Sequence, residues 1–387
     1  MLAGSILLAL GDHHSIIVKS DGSVWSTEIT TLHGDVGAGK RFVKMISGGV
    51  TAAAAGNGYS MVVKQDDSVW GMGKNHISQL GDGTKVRKGN FTFVGKISGA
   101  KAVVAGGGHT MLVTKEGLVY AAGWNEYGQL GDGTTSQISR FAVVISSMAE
   151  AVDAGDAHSI VLKRDGSVWV TGRNYNGQLG DGSRTDRSSF VKVMSGRAVN
   201  VAAGGYHSMV LKQDGSVWSA GWNEYGQLGD GFTIARTNYC EVMSSGAKSI
   251  AAGRRHSMVL KKDGSVWTTG HNMYGQLGNG CTSNRNTFVK VISGEATAVA
   301  AGGFHSMVLK EDSSIWATGL NGNGQFGDGS TTSKKKFVRL APFGDGASNG
   351  TIICIPPCSR CIISYAVAFA RRIMLPPRVS VCCHTRA

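Results

Sequence analysis

Proline is scarce in this chain, with five residues in 387, and cysteine is nearly confined to one end. Of seven cysteines only Cys240 and Cys281 precede residue 346. The first 345 residues therefore have no disulfide framework, and a reducing compartment suits them. No apolar run approaches the roughly 18 residues that a membrane-spanning helix needs. The opening LAGSILLALG resembles the core of a signal peptide. No basic residue stands before it, however, and it aligns with the pattern that follows, so we read it as part of the fold. Nowhere does an uninterrupted helical period run for about 12 residues or more. Together these absences exclude a helical bundle, a membrane span and a disulfide-stapled scaffold. Glycine, by contrast, is abundant at 57 residues, which points to many tight turns.

Those turns recur. A Gln-(Leu/Phe)-Gly triplet begins at Gln79, Gln129, Gln178, Gln227, Gln276 and Gln325, in steps of 50, 49, 49, 49 and 49. A His followed by Ser or Thr falls at His14, His109, His158, His207, His256 and His305, with Tyr59 taking the place once. An aromatic closes a short apolar run at Trp25, Trp70, Tyr120, Trp169, Trp218, Trp267 and Trp316. Three markers in one phase, at a period of 40 to 50 residues, are the signature of a propeller. Within one unit, residues 296–310 read as two apolar strands broken at Gly302-Gly303, and residues 315–318 as a third. A Gly-rich loop follows, and residues 337–340 make a fourth strand. The expected fold is all-β: a seven-bladed β-propeller over residues 1–345, with four antiparallel strands per blade. The chain opens on what aligns as an inner strand, and the last unit ends with strand 337–340. From this we expect that strand to complete the first blade and close the ring without a free edge.

Net charge is +13. Five of the 39 basic residues lie beyond Asp345 and all 26 acidic residues lie at or before it, so the repeats carry +8. Alternating strand direction puts the Gly-x-x-His turns and the Gly-Gln-Leu-Gly-Asp-Gly loops on one face. Arg184, Arg187, Arg236, Arg254, Arg255 and Arg285 lie there, with Lys40, Arg41, Lys85, Arg87, Lys88, Arg140 and Lys334–Lys336. The Lys-x-Asp-Gly turns of the other face nearly cancel. A one-sided basic ring would attract phosphate or acidic protein. The alternative is a solvated loop face with scattered cations.

Several motifs dissolve in the repeat. Residues 34–40 nearly spell a P-loop, but Arg41 stands where Ser or Thr must hold magnesium, and the stretch is a degraded loop copy. Gly322-x-Gly324-x-x-Gly327 matches a dinucleotide fingerprint without a βαβ unit around it. One histidine per blade argues for a repeated structural hydrogen bond rather than acid–base or metal chemistry. The Asp of each Gly-Asp-Gly (Asp82, Asp132, Asp181, Asp230, Asp328) reads as an acceptor bracing its loop, with Asn279 in its place in the sixth unit. Trp124 and Trp222 occupy a loop position where other units carry Lys74, Arg173, His271 and Leu320. Either they are exposed anchors beside arginine or they pack on neighbouring loops. Tyr127, Tyr175, Tyr225 and Tyr274 read as blade-to-blade packing. Residues 346–387 break the pattern. Cys354, Cys358, Cys361, Cys382, Cys383 and His384 match no zinc module, and the expectation is a disordered tail.

Gly-x-x-His-Ser, Asp-Gly-Ser-Val-Trp and Asn-x-x-Gly-Gln-Leu-Gly-Asp-Gly, as in residues 204–231, resemble the regulator of chromosome condensation repeat over roughly residues 1–343. The resemblance implies the propeller and leaves function open among chromatin-bound exchange factors, ubiquitin ligases, photoreceptors and scaffolds. An exchange factor for a small Ran-like GTPase, as the founding member is, uses a protruding β-wedge. The even spacing shows no such insertion, and no basic N-terminal arm appears. The plant ultraviolet photoreceptor senses with Trp in Gly-Trp-Arg-His-Thr turns. Here the corresponding positions are Asp12, Asn57, Gly107, Asp156, Gly205, Arg254 and Gly303. The expectation is a monomeric, intracellular, cytoplasmic or nuclear interaction module without catalytic residues, cofactor, metal or membrane contact. Its partner is a protein, of the small GTPase or histone and chromatin kind, with direct nucleic-acid contact through the basic face as an option. Its binding residues are Trp124, Trp222, Arg184, Arg187, Arg236, Arg254, Arg255 and Arg285. Exchange factor is the runner-up, and a fragment of a larger ubiquitin ligase the third reading.

Overall fold

Short apolar strands bounded by glycine turns close into a ring in this computed structural model, which describes residues 6–27, 29–30, 36–37 and 41–342. Seven four-stranded antiparallel sheets follow one another, each built from consecutive sequence, and no helix occurs among the described residues. The fifth blade is representative. Ala198–Ala203 pairs with His207–Lys212, which pairs with Val217–Gly221, which pairs with Arg236–Met243. The first strand of every blade touches the first strand of the next, including Leu7–Leu10 against Ala296–Ala301, so the first strands surround the axis. The second strands are almost wholly buried, because each blade is covered on both faces by its neighbours.

The seven-bladed all-β architecture is therefore as expected, but the closure is not. The last strand, Lys334–Arg339, pairs with Ile315–Gly319 and belongs to the seventh blade. The first blade carries its own fourth strand, Val43–Ile46, paired with Val24–Ser26. The physical reason lies in an aromatic seam. A Cβ added at Gly229 would lie 2.4 Å from the ring of Phe288 in the next blade. Gly278 sits in the same way under Phe337, and Gly327 under Phe42. Phe337 thus already fills the seam between the sixth and seventh blades, and Phe42 fills the one between the seventh and first. The ring closes by packing: Leu8, Leu10, Ile17, Trp25 and Phe42 share a core with Met307, Leu309, Phe326 and Leu340.

The histidines form a belt. His14, His109, His158, His207 and His256 each place Nε2 2.8–2.9 Å from a serine hydroxyl of the following blade (Ser60, Ser159, Ser208, Ser257 and Ser306). His305 reaches Ser15 across the closure at 2.9 Å. Five of these hydroxyls donate to a Gln carbonyl of the preceding blade, as Ser257 does to Gln227 at 2.7 Å. Having spent its only proton, such a hydroxyl must accept from the histidine, which fixes the Nε2–H tautomer. Where Tyr59 replaces histidine, its hydroxyl donates to the His109 carbonyl and lies 3.2 Å from the Thr110 hydroxyl, whose proton goes to the Gln79 carbonyl at 2.6 Å.

Candidate functional site

From the second blade to the seventh, the loop between third and fourth strands is built around one asparagine. Asn223 Oδ1 accepts the Leu228 amide at 3.0 Å, while Nδ2 donates to Asp230 Oδ1 and to the carbonyls of Phe232 and Ile234. Asp230 Oδ1 also accepts the Phe232 amide. The repeated Asp is thus a brace, as its pattern suggested. In the second, fourth and fifth blades its second oxygen takes a cation from the start of the outer strand. Arg187 pairs with Asp181 at 2.7 Å, Arg236 with Asp230 at 2.8 Å and Lys88 with Asp82 at 3.1 Å. The hydrogen bond to Asp230 holds the Arg236 pKa above its usual range. Arg187 and Arg236 are therefore largely neutralised within their own loops.

Arg254 is also committed, and to a different place. Its Nε lies 3.2 Å from Asp156 Oδ2, so the side chain runs from the sixth blade over Gly205 of the fifth to the fourth. Burial alone would lower its pKa, but the carboxylates of Asp156 and Asp12 more than offset this and raise it. The arginine is a clasp across the mouth of the axis. Arg184 is exposed, with Nη1 2.8 Å from the Tyr175 carbonyl, and Arg285 is exposed with no ion pair among the described residues.

Trp222 and Arg255 come together. Both are half-buried, with the guanidinium 5.3 Å from the indole centroid and 5.3 Å from the Tyr225 ring. Trp222 meets Tyr206 and Tyr225 edge-to-face at 5.6 and 5.2 Å, and Tyr225 meets His271 at 4.7 Å. The arc continues to Phe304, which packs on His271 and Tyr274. His271 Nδ1 lies 2.6 Å from Gln276, and burial first, then Arg255, pushes its pKa down. Trp124 sits apart in the third blade, half-buried and edge-on to Tyr127 at 5.3 Å, with Arg173 over that tyrosine. Tyr127, Tyr225 and Tyr274 bridge blades as anticipated. Tyr175 does not: it is 68% exposed.

The sequence reading missed Tyr206 and Phe304. The signal was present, because they and Arg255 stand immediately before the strand-two histidine. Other blades carry His13, Gly58, Gly108 and Ala157 there. Three large side chains in consecutive blades make the arc. The cysteine-rich segment 346–387 and Lys40 lie outside the described residues. Among the described residues no three His, Cys, Asp or Glu side chains cluster as a metal site requires, and no helix is long and apolar enough to cross a membrane.

With this geometry in place, the comparisons are specific for the repeat. Family models of the regulator of chromosome condensation (RCC1) repeat match residues 100–129, 150–178, 198–227, 247–276 and 296–325 in one form. In a second form they match 116–162, 165–211, 214–260 and 263–309. No curated protein sequence matches. Among solved structures, human WBSCR16 superposes with TM-score 0.71 at 22% identity, over 80% of this chain and 86% of that one. Prp20p from Saccharomyces cerevisiae, studied for its binding to Gsp1p and histones, superposes with TM-score 0.70 at 19% identity, over 87% and 86%. Yeast RCC1 (Prp20) bound to Kap60 gives TM-score 0.70 at 18% identity, over 78% of each chain. At these identities the likeness is one of fold.

Proposed function

This chain belongs to the regulator of chromosome condensation repeat family, and we propose that it is a non-enzymatic protein-interaction module gripping an acidic protein surface with its loop face. The observation that carries the reading is the arc from Tyr206 to Phe304 with Arg255 laid on Trp222 and Tyr225. Aromatic and arginine side chains presented together are the composition of interface hot spots. Of the eight residues singled out from sequence, Trp222, Arg255, Arg184 and Arg285 suit this role. Arg187, Arg236 and Arg254 serve the fold first, and Trp124 would form a second, smaller contact. The relatives agree at a coarse level: Prp20p was studied with Gsp1p and histones, and yeast RCC1 was seen with Kap60.

The test is capture by the full chain at low and high salt. Arg184→Glu with Arg285→Glu reverses two exposed charges on the loop face. Lys248→Glu with Lys262→Glu does the same on the opposite face, where both lysines are exposed. The first pair should lose its bound protein and the second keep it, with salt mimicking the first because exposed charges are screened over about 8 Å. Equal loss from both pairs, or none from the first, overturns the reading. Accelerated nucleotide release from a purified Ran-like GTPase would instead establish the exchange-factor alternative.

A further inference from the structure

The sixth blade departs from the repeat at the place where an open hollow lies. Asn279 stands where five other blades put the bracing Asp, and Cys281 where most put Ser or Thr. The brace itself survives, since Asn272 Nδ2 donates to Asn279 Oδ1 at 3.1 Å. What is lost is the carboxylate oxygen that receives a cation. Arg187 and Arg236 are paired in the two preceding blades, and Arg285 at the same position has no carboxylate. Asn279 therefore preserves the loop and leaves the Arg285 guanidinium beside the Cys281 thiol instead of a carboxylate.

Beside it is a hollow of about 440 Å³, walled by Tyr225, Arg255, His271, Met273, Tyr274 and Phe304, with no acidic residue in its lining. Met273 is 64% exposed. The Arg255 Nε is buried without a hydrogen-bond partner, and Nη1 makes only a long 3.4 Å contact with the Tyr225 hydroxyl. Its face lies over two rings, and no carboxylate among the described residues takes its donors. The Lys334–Lys336 stretch borders the same loop, with the Lys335 carbonyl accepting the Gly280 amide at 2.8 Å. Arg255 thus lines a hollow within the size range of small-ligand clefts at about 300–1,000 Å³, and Arg285 directly follows Asn284 of its wall.

We propose that the sixth-blade hollow binds an acidic peptide segment, taking one apolar side chain into the hollow and its flanking carboxylates on Arg255 and Arg285. This rests on the loop-face reading above and names the chemistry of the partner. Planar guanidinium groups with spare donors suit carboxylates. A single nucleic-acid strand fits less well, because it needs aromatic faces free for stacking. Here the rings spend themselves edge-to-face on one another, at interplanar angles of 64–73° around His271.

The experiment uses the full chain and a fluorescein-labelled peptide alternating aspartate with phenylalanine. Its asparagine counterpart and a short oligothymidylate serve as comparators, read by anisotropy. The aspartate peptide should bind and the asparagine peptide should not. Asn279→Asp, which restores the residue of the other blades and so keeps the fold, should pair Arg285 and weaken binding about fivefold. Arg255→Ala should weaken it at least as much, and Lys262→Ala, exposed on the opposite face, should not. Bound peptide should also shield Cys281, which precedes the lining residue Thr282, from alkylation. Binding unchanged by Asn279→Asp and Arg255→Ala overturns the proposal, as does preference for oligothymidylate. If the Arg184→Glu/Arg285→Glu pair still abolishes protein capture in that case, the loop-face reading stands and only the hollow falls.

Discussion

A strand-two histidine carries its proton on Nε2 because the serine opposite has none left to give, and that single constraint makes the belt pH-sensitive. Burial first, and then neighbouring histidines, pushes His207, His256 and His305 down to about 3 from 6.5. Unfolded, each takes up a proton near 6.5; folded, it stays neutral until about pH 3. Stability from these sites is therefore fully present above pH 6.5 and declines as pH falls through that value toward 3. Each histidine contributes a slope of up to about 1.4 kcal/mol per pH unit. Urea unfolding at pH 7.5 and at pH 5 checks this. Equal stabilities would mean the rings are not held neutral. The one-per-blade spacing already argued for a structural role, since chemistry would need unlike partners at one point. Which blade supplied the serine, and which tautomer resulted, required the neighbours.

At the scale of the element, the outer strand is set by one aromatic lying over a glycine of the preceding blade. Gly229 has φ +80°, a conformation that favours glycine, and a side chain there would collide with Phe288. Phe42 and Phe337 occupy equivalent seams, so truncation of either to Ala should cost about 3 kcal/mol. Chemical denaturation compares them directly. A far larger loss from Phe337→Ala than from Phe42→Ala would favour closure by the last strand. The Phe-Val-Lys of residues 42–44 repeats at 190–192 and 288–290 and marks this strand in every copy where it occurs. It was overlooked because the loop before it lacks Gln-Leu-Gly, the landmark by which the other outer strands are found.

The whole molecule is a ring in which Arg254 ties the sixth blade to the fourth beside the axis. Reversing its charge would set three carboxylates together, with Asp156 and Asp12, and so probe folding rather than recognition. Arg254→Ala should destabilise by about 2–3 kcal/mol, since it removes the paired cation from the buried Asp156 carboxylate. Arg255→Ala should leave thermal stability much closer to that of the parent. Thermal melts of the two variants separate the cases, and equal shifts would show that Arg254 is no clasp.

The sequence alone determined the number of blades, the hairpin order within each and the face on which the loops emerge. Period, strand alternation and glycine placement are local and survive without any knowledge of neighbours. It also showed where the repeat breaks, at Trp124, Trp222 and Asn279, and which arginines the loop face carries. Only the tertiary structure decided what those breaks do. An arginine's role depends on whether a carboxylate lies within reach, and that carboxylate can be six residues away, as Asp230 is from Arg236, or two blades away, as Asp156 is from Arg254. The same holds for the ring closure, because the seventh blade meets the first through side-chain packing between segments nearly the whole chain apart.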